Sequence, residues 1–459
     1  MEPGHLRFGG GATETLVHPL VAVWLLVAIV LILTRPRERL ITPFLLAFFT
    51  IPAGQVILIG SLHFTVLRIL ILAVLLRRAF SPETLSERRF PGGFNTLDRV
   101  TVLWALSTAV VFCLQWRESQ AVIKSLGDLV DTLCAYLAVR FLITDGEALR
   151  RTVRLLAIIC VIQGVCMINE QINHINVFGL LGGISLVPAV KEGGHIRSSG
   201  VIIGGIYAGV FAGALIPLFC WLWTERKSRA MAFAGLAGAI TMAITSYSST
   251  AFLASAGSIV GLAFWPLRRK MRLIRWALAL GLISLHLVMK APVWALIARI
   301  DLTGSSTSYQ RYGLMDNCIR HFSDWWLLGT RYYNTWGWDT WDLCNEFVAV
   351  ALTGGLITLV LYVAMFSRGF GGIGTARKFV EGDRGQEWLL WCLGSALLGH
   401  VLGQFGINYM AQMQMALFLL LACISVATFE AKQSSVQYVE SPAQEQSPWI
   451  GAEDVMLEA

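Results

Sequence analysis

Two arginines in separate polar segments carry the side chains best suited to chemistry. Arg197 stands in His195-Ile196-Arg197-Ser198-Ser199-Gly200, just ahead of the glycine-rich start of an apolar helix, Gly200-Val201-Ile202-Ile203-Gly204-Gly205. Arg311 closes Ser308-Tyr309-Gln310-Arg311 in a second, longer polar segment spanning about 292–345. A guanidinium grips phosphate oxygens through a planar fork of donors. The free N–H groups of a glycine-rich helix start suit an anion as well. Together such groups could hold a diphosphate and stabilise the charge that develops on a departing pyrophosphate. Taken singly, a loop arginine also meets lipid head groups or surface carboxylates.

Asp342, Asn345 and Glu346 meet where the longer segment runs into the next apolar stretch. A carboxylate in a dry medium gains proton affinity and can serve as general base. The same residues also read as a helix start, with Asp342 as N-cap and Glu346 favoured by the helix dipole. Arg68 lies inside an apolar stretch, from which it either reaches the cavity of Arg197 or snorkels to head groups. Lys124 and Asp128, near Asp131, are spaced to neutralise one another. Within the longer segment Tyr312, Met315, Ile319, Phe322 and Trp326 follow a 3-4-3-4 spacing, which predicts one apolar helical face. Thr307 and Gln310 fit a capping box at its start, and Gly329 fits its end. Arg311 and Arg320 fall off that stripe. The helix reads either as an interfacial anchor through Trp325 and Trp326 or as a lid. In a lid, Arg320, His321 and Trp326 are candidates for binding an acceptor. Glu170, Asn173, His174, His400, Gln404 and Asn408 rim the ends of apolar stretches, where any of them could bind sugar hydroxyls.

The elements that must position these groups are membrane helices. Of 459 residues, 56% are hydrophobic and 14% charged, whereas soluble domains carry about 25% charged residues. Apolar runs of roughly 20 residues recur. The fold expected is an all-α polytopic membrane bundle with about 12–13 transmembrane helices, including spans near 40–60 and 62–80. The expected organisation is N-terminal helices over 1–172, a first long extracytoplasmic loop over 173–199 and central helices over 200–291. A large extracytoplasmic loop over 292–345 with an amphipathic helix follows, then C-terminal helices over 346–429 and a disordered cytoplasmic tail over 430–459. The net charge of +7 is read by location. Basic residues gather near 35–39, 77–99, 140–154, 226–229, 268–275 and 368–384, which places those loops inside and the N-terminus and both long loops outside. Nucleic-acid binding is a poor reading of that charge. Residues 1–16 lack a basic leader, so the first helix is expected to be retained. Of nine cysteines, Cys318 and Cys344 share the second loop, where an oxidising compartment would permit a disulfide. No zinc-type spacing occurs, and no metal or cofactor is expected.

Several features keep a fixed order: an arginine followed by a glycine-bearing helix start, then Ser308-x-x-Arg311 in a large outer loop. Trp326-Leu327-Leu328-Gly329 comes next, then Asn345 and a helix bearing Gly354-Gly355. Over about 195–365 this pattern resembles the O-antigen ligase/Wzy-type polymerase superfamily of bacterial membrane proteins. Cys344 stands where that family often has a histidine before the asparagine. The resemblance implies a GT-C-like bundle in the bacterial inner (cytoplasmic) membrane with its active site facing the periplasm or cell exterior. It implies metal-independent, inverting transfer of a glycan from an undecaprenyl-diphosphate-linked donor. Arg197, Arg311 and Arg68 would hold the pyrophosphate, Glu346 or Asp342 would act as base, and Asn345 would orient the acceptor. The acceptor would be a second lipid-linked glycan, slightly favoured here, or a lipid A core. Membrane lipids and a chain-length regulator protein are the implied partners. A transporter or flippase of lipid-linked glycans is the alternative from another class. Its charges should run the full depth of the cavity, whereas here the unpaired polar residues cluster in outer halves.

Overall fold

The structure is a computed structural model that describes residues 14–60, 62–80, 90–191, 193–299, 307–337, 340 and 342–444. Arg88, Arg89 and Trp341, residues 301–306 of the longer loop and the tail from 445 onward lie outside the described residues. The order is α1 (Pro19–Thr34), α2 (Ile41–Phe48), β1 (Val56–Ile59), β2 (Leu62–Thr65), α3 (Val66–Phe80), α4 (Thr96–Trp116) and α5 (Ser119–Leu129). A π-helical turn (Val130–Cys134) leads into α6 (Ala135–Leu142), α7 (Gly146–Asn173), β3 (Ala189–Val190), β4 (Ile196–Arg197), α8 (Gly205–Leu222), α9 (Arg229–Thr245), α10 (Ser249–Ala263) and α11 (Met271–Val288). The chain ends with α12 (Thr307–Arg320), α13 (Phe322–Trp325), α14 (Glu346–Phe379), α15 (Arg384–Gly403) and α16 (Ala411–Gln444). Among the described residues seven helices are long and apolar enough to cross a membrane, while α1 and α10 are shorter apolar helices. The chain is therefore an all-α polytopic protein in its coarse architecture.

One end of the bundle is tied by basic groups. Arg140 is fully buried and pairs with Asp98 at 2.8 Å. Arg150 and Arg154 pair with Glu225, and Arg268 with Glu387. The opposite end collects the C-termini of α4, α7, α9 and α15 and the N-termini of α8, α10 and α14. Ser198 donates to the Thr245 carbonyl there, and Glu346 N–H donates to the Gln404 carbonyl.

The stretch 40–60 is not the single helix expected from its apolar content. α2 stops at Phe48, and β1 and β2 form an antiparallel hairpin pairing Val56 with Thr65. Pro52 disfavours helix at the residue before it, and the β-branched run after it suits a strand. α16 runs from Ala411 to Gln444, into the segment expected as a tail, the rest of which lies outside the described residues.

α14 is interrupted at Gly355, whose φ is 71°. The interruption receives the segment Trp326–Thr330 that follows α12 and α13, here called the lid segment after its place over the end of α14. Leu356 N–H donates to the Trp326 carbonyl and Thr330 N–H to the Leu352 carbonyl, each at 2.8 Å. A Cβ on Gly355 would lie 2.6 Å from the Leu327 oxygen, and one on Gly329 (φ +68°) would collide with the Leu352 carbonyl. Only glycine fits both the left-handed backbone and this approach of main chain to main chain. Gln115 Nε2 completes the joint from α4, donating to the carbonyls of Leu328 (3.2 Å) and Leu352 (3.3 Å).

This joint decides which face of the lid turns inward. Ser308, Arg311, Leu314 and Cys318 are buried, and Leu314, Cys318 and Trp325 pack on Val348, Ala351 and Leu352 of α14. Ile319, Phe322 and Trp326 of the expected apolar stripe are 45–46% exposed. The helix breaks at His321, so α12 and α13 do not share one face. The burial of Arg311 reverses the expectation that it lies off the packed side. Arg320, nine residues on and so half a revolution away, is exposed and pairs with Asp316 at 2.6 Å. The side chain of Thr307, needed for the expected capping box, lies outside the described residues.

Gly329→Ala and Gly355→Ala are each expected to destabilise the lid joint by about 1–3 kcal/mol. Limited proteolysis should then cut faster within 322–345, with the bundle itself intact. Unchanged cleavage in both variants would contradict the joint.

Candidate functional site

Arg197 is positioned from α7. Glu170, fully buried, accepts the N–H groups of Ser199 (2.9 Å) and Gly200 (2.7 Å). Gln171 Nε2 donates to the Ile196 carbonyl, Ser198 Oγ and the Thr245 carbonyl. Gln163 accepts Val201 N–H at 2.9 Å. The aliphatic stem of Arg197 lies across the first residue of α8, where a Cβ on Gly205 would sit 2.4 Å from Arg197 Cγ. Gly205 at the start of α8 thus leaves room for this side-chain approach. Arg197 Nε is buried and has no hydrogen-bond acceptor among the described residues. Burial, and then the neighbouring Arg311 charge, hold the Arg197 guanidinium below the usual arginine range.

Arg311 arrives from the lid and is 8% exposed. With Ser249, Thr250, Leu253, Leu402, Phe405 and Gly406 it lines a cavity of about 210 Å³. It also lies within electrostatic reach of the Cys344 thiol. Burial pushes that thiol up to about 11, with the Arg311 charge pulling the other way. The two arginines, more than a hundred residues apart in sequence, therefore lie in each other's field at one end of the bundle.

The acidic group is arranged differently from expectation. Asn345, rather than Asp342, caps α14: its Oδ1 accepts Phe347 N–H (3.0 Å) and Val348 N–H (3.3 Å). The cap sits where the φ/ψ turn into the helix occurs, three residues after Asp342. Asn345 is fully buried, and its Nδ2 has no partner among the described residues. Glu346 is also buried, and its Oε2 accepts Tyr409 N–H at 2.6 Å. Asp342 is exposed and lies within electrostatic reach of Cys344 and of Tyr207. Tyr207 donates to Asn408 Oδ1 at 2.9 Å and also lies in the field of Glu346. Sequence reasoning missed Tyr207, because an isolated tyrosine in an apolar helix gives no signal of which neighbours it meets.

Arg68, Arg320, His321 and Trp326 do not join this group. Arg68 forks onto Asp131 (2.9 and 2.7 Å), beside Lys124–Asp128 at 2.6 Å. The His321 ring stacks on Trp336 at 4.6 Å, and its Nδ1 meets Asp324. Trp326 contributes its carbonyl to the lid joint. His400 is buried against Tyr409. Cys318 and Cys344 are free thiols, and burial pushes Cys318 up to about 12. Among the described residues no group of histidine, cysteine and carboxylate side chains could hold a metal ion. Arg311 thus lines a cavity whose other walls are largely apolar, with the Arg197 guanidinium within its electrostatic reach.

The pairing of Arg311 with Cys344 has a measurable consequence. In a variant keeping Cys344 as its single cysteine, maleimide labelling at pH 8 is expected to run well below the rate of a free thiol, and to rise as pH approaches 11. Arg311→Met should slow it further at fixed pH, since the charge favouring thiolate is gone. A faster rate in that variant, with the fold intact, would count against the contact.

No protein-family model matches the chain, and no curated protein matches it either.

Proposed function

We propose that the protein is an integral membrane glycosyltransferase of the O-antigen ligase/polymerase type. It would transfer a glycan from an undecaprenyl-diphosphate-linked donor to a sugar hydroxyl on the extracytoplasmic side. The observation that carries this reading is that Arg311 lines a cavity with largely apolar walls while Arg197, from a separate segment, lies within its electrostatic reach and is tied to the α9–α10 turn through Ser198 and Thr245. A diphosphate suits guanidinium forks from two segments, and the apolar walls favour an anion that carries a lipid chain. The bundle of about 12–13 spans in a GT-C-like arrangement and the outward orientation of both long loops belong to this proposal.

In the reaction, the donor enters laterally and its diphosphate lies between the two guanidinium groups. An acceptor hydroxyl attacks the anomeric carbon opposite the diphosphate. The new C–O bond forms as the C–O bond to phosphate breaks, and configuration inverts. The electron pair leaves on undecaprenyl diphosphate, whose charge the arginines stabilise. Asp342 or Glu346 takes the acceptor proton. Asp342 is the better placed, since it is exposed beside Tyr207 while Glu346 already accepts Tyr409 N–H. Asn345 orients the loop through its cap. Transfer to a second lipid-linked repeat would make the protein a polymerase, with a chain-length regulator as partner. Transfer to a lipid A core would make it a ligase.

Arg197→Ala and Arg311→Ala are each expected to lower glycan transfer by about 10²-fold or more with normal expression, and lysine at either position to restore part of it. Full activity in both alanine variants would remove the diphosphate assignment. Cysteines introduced at Gly194 and Thr335 should react with an impermeant maleimide from outside intact cells. Reaction only after permeabilisation would reverse the orientation.

A further inference from the structure

We propose that the N-terminus of α10 is a phosphate cradle in which the Thr250 hydroxyl and the first main-chain N–H groups of the helix bind one phosphate of a lipid diphosphate, beside Arg311. This rests on the donor class proposed above but assigns the α9–α10 turn a role of its own.

α9 ends at Thr245 and α10 starts at Ser249, across a turn in which Tyr247 takes a φ of 43°. Ser248 occupies the N-cap without a side-chain capping bond. The first bond closing the helix runs from Phe252 N–H to the Ser248 carbonyl. The N–H groups of Thr250 and Ala251 precede it and have no acceptor within the helix. They carry the positive end of the α10 dipole.

The Thr250 side chain points to the same ligand independently. It is 2% exposed, and its Oγ1 has no hydrogen-bond partner among the described residues. Thr101, Thr152 and Thr245 satisfy their hydroxyls on the carbonyl four residues back, as threonines inside helices commonly do. Thr250 does not, and it lines the cavity that Arg311 lines. The same turn touches the Arg197 segment: Ser198 N–H donates to the Thr245 carbonyl at 3.1 Å, and His195 stacks on Tyr247 at 4.2 Å.

The sign and the character of the ligand follow. A helix N-terminus and a guanidinium select an anion. Leu253, Leu402 and Phe405 on the remaining walls select one with an apolar chain attached. A lipid diphosphate meets both conditions, whereas free pyrophosphate meets the first alone.

The test uses the purified full-length chain in detergent, with farnesyl diphosphate and inorganic pyrophosphate as probes in calorimetric titrations. The wild type should bind farnesyl diphosphate more tightly than pyrophosphate. Thr250→Val should weaken farnesyl diphosphate about tenfold, the loss of one hydrogen bond to a charged group, and Thr250→Ser should restore it. The thermal midpoint of ligand-free Thr250→Val should equal or exceed that of the wild type, because a buried hydroxyl without a partner has been removed. Should that variant not fold, Thr250→Ala reads the same loss. Unchanged affinity in Thr250→Val, with binding lost in Arg311→Ala, would overturn the cradle and leave the donor reading standing. Binding of neither probe by the wild type would overturn both. Equal affinity of the wild type for the two probes would overturn the lipid-chain part of the assignment.

Discussion

Like charges do not approach one another unless the chain around them is built to hold them. Arg197 and Arg311 shape one end of this bundle through that constraint. Their mutual repulsion, strengthened by partial burial, opposes folding, and the surrounding elements offset it in two ways. Arg197 is held by a ladder of polar side chains on α7, in which Gln163, Glu170 and Gln171 fix successive main-chain groups from Ile196 to Val201. Arg311 is held by packing, because the face of α12 that bears it also bears Leu314 and Cys318. In the proposed function, a diphosphate lying between them would turn the repulsion into attraction and would meet groups already held in place.

The lid depends in turn on the interruption of α14. A continuous helix would use Leu356 N–H to satisfy the Leu352 carbonyl. The break at Gly355 frees both groups, and the segment around Trp326–Thr330 takes them up. Main-chain pairing of this kind fixes register in a way that side-chain contacts alone do not, and the rotation of α12 about its axis follows from it. Gln115 ties the same joint to α4. The position of Arg311 is thereby coupled to two elements distant in sequence, α4 and α14, which is why a substitution in α4 or at Gly355 should be felt in the site.

The helices were readable from apolar run length because lipid-facing and bundle-facing helices are both apolar throughout. The same property hid what interrupts them. Between 40 and 60 the apolar content is that of a span, yet Pro52 and the run Val56-Ile57-Leu58-Ile59 make a turn and a strand. The 3-4-3-4 stripe in the lid is present in the sequence, but periodicity states which residues share a face and not which face a neighbour will cover. Here the neighbour is the broken α14, and the face chosen carries Ser308 and Arg311. The two arginines stood out through their motifs. Tyr207, Thr250 and Gln115 did not, since each acts through a partner more than a hundred residues away or through a missing partner.

The residue before Asn345 bears on where the acceptor proton goes in the proposed transfer. A thiol that burial pushes up to about 11 is neutral at neutral pH and a poor proton acceptor, so Cys344 does not replace an imidazole base. Yet glycosyl transfer passes through an oxocarbenium-like transition state in which the leaving group has largely departed. Charge then builds on the diphosphate before the acceptor hydroxyl becomes strongly acidic. Most of the barrier lowering must come from cations around the leaving group, and a weak, exposed base such as Asp342 is enough for a late proton transfer. Under the proposed function, the two arginines would serve the leaving group and the exposed carboxylate the acceptor, which is the weighting that chemistry calls for.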